Sequence, residues 1–239
     1  MKNFTTDALF DGQLLISQSK SGYRFSIDPV ILAHFASPMA GSKIIDLGTG
    51  CGVIPLVLAH RETDLRITGV EVQSSLVRYA KANVLRNDKD KIVDIVHMDM
   101  KQYQCAHPEM LFDLVITNPP YTKKNAGRIN PDSERAVARH EIKITLSDII
   151  DTASGLLKDQ GMFVIIFPEV RLSELLAEMT AKNLNPEKVR LVYTKKGGQA
   201  KLVLVSGKKN SNRSVIYDEP LIIYNLSGKY TQEMVMMLR

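Results

Sequence analysis

The chain has 239 residues, of which 44% are hydrophobic and 24% charged, with a formal charge of +5 at pH 7 and two cysteines. That length suits one well-buried domain with at most a small appendage, and the composition is that of an ordinary globular protein. The longest apolar runs, such as 162–167, are far too short to span a bilayer. The N-terminus carries no signal-peptide core, and Cys51 and Cys105 have neither metal-type spacing nor a disulfide pattern. A cytoplasmic protein is therefore expected, with no membrane partner and no metal.

In chain order, residues 1–40 stand apart. They hold an alternating run at 13–17, a turn at Gly22 followed by Tyr23-Arg24-Phe25-Ser26, and an apolar helical stretch from Pro29 with Asp28 as its N-cap. From residue 41 strands and helices alternate. The pattern predicts strands at 43–47, 66–72, 92–98, 112–117 and 162–167. Helices are expected at 53–61, from a Ser74 cap through Val77, Ala80 and Val84, at 145–157 ending by Gly161, and at 170–183. Two further runs, 189–193 and 202–205, read as strands paired around Gly197-Gly198. A last strand is expected at 221–224, before a Met-rich tail read as core filler. Repeated βα units ending in a hairpin imply an α/β fold, with a mostly parallel sheet covered on both faces and an antiparallel strand at one side.

Three strand ends carry chemistry. The first strand runs into Asp46-Leu47-Gly48-Thr49-Gly50-Cys51-Gly52. Glycines there let the chain turn sharply and let a ligand approach the backbone. A dinucleotide fingerprint needs a sixth-place glycine, where this chain has Val53, so the spacing favours a nucleoside cofactor without a pyrophosphate. Glu71, ending the second strand, is placed to accept from ribose hydroxyls, and Asp99, after the third, from an adenine amino group. The fourth strand ends in Asn118-Pro119-Pro120-Tyr121. Neither proline can donate to a ladder, so the strand must stop in a stiff extended turn. The Asn118 amide and the Pro119 carbonyl can then accept from a planar amino group while Tyr121 stacks on the ring that carries it.

Together these motifs resemble the class I S-adenosylmethionine-dependent methyltransferases that act on planar amines. The segments 22–33, 135–141, 193–200 and 228–233 extend the resemblance to the bacterial tRNA1(Val) adenine-N6 methyltransferases. The resemblance implies a doubly wound, mostly parallel seven-stranded sheet of the Rossmann-like methyltransferase type in 41–239. Residues 1–40 become a small hairpin/helix extension bordering the cofactor site. It implies S-adenosylmethionine as cofactor, held by Phe25, Asp28, Asp46, Gly48, Gly50, Glu71, Val72, Asp99, Met100 and Asn118, with Asn118, Pro119 and Tyr121 at the reacting amine. The substrate implied is an adenine in a tRNA anticodon loop.

Two basic segments suit that polyanion. One comprises Lys123, Lys124, Arg128, Arg135 and Arg139, with His140 beside it as an orienting group. The other spans 188–213, with eight basic residues and no carboxylate, and its Lys195 and Lys196 are the expected phosphate track. Ribosomal RNA guanine-N2 and release-factor glutamine-N5 transfer share the tetrapeptide, and an RNA-binding module with a silent cofactor site is the non-enzymatic reading. A monomer is favoured.

Overall fold

The structure, a computed structural model, describes residues 4–20, 24–120 and 144–239. The N-terminal extension is an antiparallel hairpin of β1 (Phe4–Leu9) and β2 (Leu14–Ser19), joined through a tight turn at Phe10–Gly12. The 13–17 run pairs with the residues before it, and Arg24–Ser26 leads without regular structure to α1 (Asp28–Phe35). Asp28 is not the cap of α1: Ile27 holds that position, its carbonyl taking the N–H groups of Val30 and Ile31, and Pro29 sits inside the first turn where no donor is needed.

The βα alternation follows. It comprises β3 (Lys43–Leu47), α2 (Val53–Arg61), β4 (Arg66–Glu71), α3 (Ser74–Arg86), β5 (Val93–His97), α4 (Met100–Ala106) and β6 (Phe112–Thr117). After these come α5 (Leu146–Leu156), β7 (Leu157–Pro168), α6 (Leu172–Ala181), β8 (Leu184–Lys195) and β9 (Ala200–Lys209). The sheet order is β8-β9-β7-β6-β3-β4-β5, with β9 antiparallel to both neighbours and the other pairings parallel. This is the seven-stranded sheet implied by the resemblance. Short β10 (Ile216–Tyr217) and β11 (Leu221–Tyr224) extend its edge beside β8, and α7 (Gln232–Leu238) closes the chain.

Strand side chains alternate between two cores, as parallel strands covered on both faces must. Ile44, Leu114, Ile116, Val164 and Ile166 face the core shared with α1 and α2, while Ile45, Val115, Phe163, Ile165 and Phe167 face that of α5 and α6. Each such fully buried side chain is worth about 1.5–3 kcal/mol. In the tail, Met234 is buried as expected of core filler, whereas Met236 is 66% exposed.

Two helix boundaries differ from the sequence pattern. Helix α5 ends at Leu156 and strand pairing starts at once, because Gln160 takes a positive φ of 59° and the β6–β7 register shifts between Phe112 and Leu114 to absorb the extra residues. Ser74 begins α3 but does not cap it; the preceding Gln73 N–H is accepted by the Glu71 carboxylate (2.9 Å). Among the described residues no helix is long and apolar enough to cross a membrane.

Candidate active site

Adjacent parallel strands lie about 4.8 Å apart, so the carboxyl ends of β5, β4, β3 and β6 bring Asp99, Glu71, Asp46 with its glycine turn, and Asn118 to one edge of the sheet. In doubly wound folds that edge is where ligands bind. Gly48 and Gly50 adopt φ of 75° and 59°, and a Cβ at either would meet no atom within 4 Å. Glycine is used there for its conformation, and the space above the turn is open to a ligand.

Glu71 pins the turn. Its Oε2 accepts from Gly50 N–H and its Oε1 from Gln73 N–H, both at 2.9 Å. A carboxylate has about four acceptor sites, so these two bonds orient Glu71 and leave capacity for ribose hydroxyls. Burial pushes its pKa up, against the lowering effect of those backbone donors.

Asp46 is fully buried, and neither of its oxygens has a hydrogen-bond partner among the described residues. Burial drives its carboxyl up to about 7; the neighbouring Thr49 hydroxyl pulls the other way and the Glu71 charge adds to the rise. An unpartnered buried carboxyl is costly unless something else satisfies it. Beside an open glycine turn, it fits the donors of a polar, positively charged ligand.

Asp99 also caps a helix. Its Oδ1 accepts from Lys101 N–H (2.8 Å) at the start of α4, where Met100 is the first residue. Val72 is half-exposed after β4, and its carbonyl is bonded by His97 Nε2 (3.0 Å), which occupies His97 structurally. Among the described residues no three His, Cys, Asp or Glu side chains converge as a metal set. Phe25 is held by its N–H on Gln18 Oε1 (3.0 Å), and burial raises the pKa of Asp28. Asn118 is half-buried, Pro119 buried and Pro120 exposed. Tyr121, Lys123, Lys124, Arg128, Arg135, Arg139 and His140 lie outside the described residues. Lys195 and Lys196 are exposed at the tip of the β8–β9 hairpin. Because β8 runs parallel to β7, that tip lies on the same edge as Asn118.

Three residues at the site were not singled out from the sequence. Thr49 is buried beside Asp46. The buried Thr117 hydroxyl donates to the Leu47 carbonyl (2.8 Å), fastening the end of β6 to the start of the glycine turn. Asn83 donates to the Cys51 carbonyl (3.0 Å) from within the apolar stripe of α3; an Asn at such a position flags a polar partner without naming it.

The sheet order and the cleft at its carboxyl edge are those of a Rossmann-like fold with a ligand site at the strand ends. The chain belongs to the methyltransferase small domain family, whose model matches residues 28–184. A protein from Porphyromonas gingivalis named tRNA1(Val) (adenine(37)-N6)-methyltransferase is 31% identical over 96% of this chain and 92% of its own. One of the same name from Bacteroides thetaiotaomicron is 28% identical over 92% and 91%. Among solved structures, a predicted O-methyltransferase from Agrobacterium tumefaciens superposes with a TM-score of 0.69 at 20% identity, covering 87% of this chain and 94% of that one. TYW2 of M. jannaschii in complex with AdoMet gives 0.61 at 16%, covering 87% and 86%. The chain is a methyltransferase, and S-adenosylmethionine is its cofactor. The open turn, the orphaned Asp46 and the oriented Glu71 fit that group.

Proposed function

We propose that this enzyme methylates the exocyclic N6 amine of an adenine beside the anticodon of a tRNA, the activity that its relatives' names give for them. The observation that supports this reading best is the placement of Asn118-Pro119 at the end of β6, next to the glycine turn that ends β3. An amine acceptor and a cofactor cradle on neighbouring strands bring nucleophile and methyl group together. A tRNA substrate puts the enzyme in the cytoplasm.

The bound cofactor supplies an electrophilic methyl group on a sulfonium. The chain supplies position and polarity. The adenine amine is a poor nucleophile because its lone pair is delocalised into the ring. Acceptance of its two hydrogens by the Asn118 side chain and the Pro119 carbonyl localises that pair and aims it at the methyl carbon. With the methyl group transferred to nitrogen and the thioether as leaving group, Asn118 and Pro119 would hold the two amine hydrogens until the nitrogen sheds one of them, strongly acidic once methylated. No strong general base is required. Stacking of the flipped base on Tyr121 contributes about 1–3 kcal/mol. The test is labelled methyl transfer into bulk tRNA with mass spectrometry of the nucleosides. N6-methyladenosine supports the reading, and label in ribosomal RNA or release factor alone rejects it.

A further inference from the structure

The carboxyl edge of the sheet extends past the hairpin tip to a second group of residues that the reaction does not use. Strand β11 runs parallel to β8, with Tyr224 the Cα partner of Lys195. The chain then turns through 225–229 and returns, so that Tyr230 bridges Tyr224 and their rings stack at 5.1 Å with 13° between planes. Tyr230 is 38% exposed. Its ring also lines an open depression of about 640 Å³, shared with Leu9, Phe10, Ile27 and Leu238. Lys195 is opposite Tyr224 in register and Lys229 adjoins Tyr230 in the chain, while Lys196 and Lys201 belong to the neighbouring β8–β9 hairpin; all four are exposed. The two segments that carry them, 193–201 and 224–231, contain no Asp or Glu. Of the neighbouring carboxylates, Glu233 is paired with Arg190 (2.7 Å), and Asp11 lines the same depression as Tyr230.

Aromatic faces interleaved with unpaired cations are what single-stranded nucleic acid requires, since every base offers a face for stacking and every linkage a phosphate. We propose that Tyr230, backed by Tyr224, is a stacking platform for an unpaired base of the RNA substrate, whose backbone is held by Lys195, Lys196 and Lys229. One face of the Tyr230 ring is occupied by Tyr224, which fixes its plane; the other serves the base. Neighbouring strands and stacked rings put the lysine backbone and the platform within about 10 Å of each other, so one strand of RNA engages both. The platform lies several strands away from Asn118, so the base it takes is not the one methylated. The proposal rests on the reading of the substrate as RNA, and it adds a contact that selects single-stranded over duplex structure.

The test uses the full chain with two probes, a synthetic anticodon stem-loop and an unstructured oligoribonucleotide. Y230A should weaken binding of both by at least about fivefold, with cofactor affinity unchanged and the salt dependence of RNA binding unaltered. Y230F keeps the ring and should bind as the parent does, which separates stacking from a hydroxyl contact. The chain has no tryptophan, so tyrosine emission reports directly: RNA should quench the parent more than it quenches Y230F. Parent affinity and parent salt slope in Y230A, or equal quenching in the parent and Y230F, overturns the platform. If the parent transfers no methyl group to tRNA while Y230A still loses RNA affinity, the platform stands and the substrate reading fails.

Discussion

On the proposed reading the Asn118 side chain accepts from the reacting amine, so N118A should abolish methyl transfer while cofactor affinity, measured by calorimetry, stays within about twofold. Transfer at the parental rate would remove the acceptor role. Asp46 offers a test that needs no RNA. Its pKa is raised from 3.8 to about 7 in the folded chain, so the folded state holds a proton that the unfolded state has lost between those values. The sign follows: without cofactor this group favours folding at low pH, and stability falls as pH rises through about 7. The shift corresponds to about 4 kcal/mol at its limit. D46N removes the titration, and its melting temperature should exceed the parent's near pH 8 and converge with it only below about pH 4. Bound cofactor supplies the missing donors, so its affinity for the parent should rise with pH over the same range. A cofactor affinity flat in pH would detach Asp46 from the ligand.

The elements most legible in the sequence were those whose pattern is local. Strands β3, β6 and β11 and helix α2 fall where β-branched runs and glycine stops put them. Less legible were features decided by tertiary partners. Strand β2 pairs with β1, a strand the sequence pattern did not mark, and its other edge is closed by side chains from α3 and its C-cap. Asn83 on α3 and Asn87 at its C-cap offer their amides to alternate residues of β2. Asn87 accepts from Leu15 N–H and donates to Leu15 O, while Asn83 does the same for Ser17, all at 2.8–2.9 Å. Two side chains thus act as a further strand, and Asn83 also reaches Cys51 O in the glycine turn. Helical periodicity cannot reveal this, because Asn83 lies in the same stripe as Ala80 and Val84. N83L would strand three buried backbone groups at about 1–3 kcal/mol each. The variant should lose several kcal/mol in denaturant unfolding and lose amide protection at Ser17. Parental protection there would show that the hairpin is held by other contacts.

Across the whole molecule the structure divides the basic run 188–213 by role. Lys188 pairs with Asp218 (3.4 Å), Arg190 with Glu233, and Lys209 donates to the carbonyls of Ser154 and Leu157, so these hold the fold. Lys208 and Lys209 end β9 at the edge opposite the active site. Lys195, Lys196 and Lys201 remain exposed on the same edge as Asn118, so net charge alone overstated the run, and position leaves these three as the part proposed to meet RNA. Each phosphate neutralised on a single strand contributes about 0.7 to the slope of log affinity against log salt. If Lys195 and Lys196 contact one phosphate apiece, K195E/K196E should weaken RNA binding and reduce that slope by about 1.4. Turnover at saturating RNA should hold, because neither lysine touches the reacting amine. A variant with the parental slope would move the RNA path off the β8–β9 hairpin and toward the basic residues that follow Tyr121.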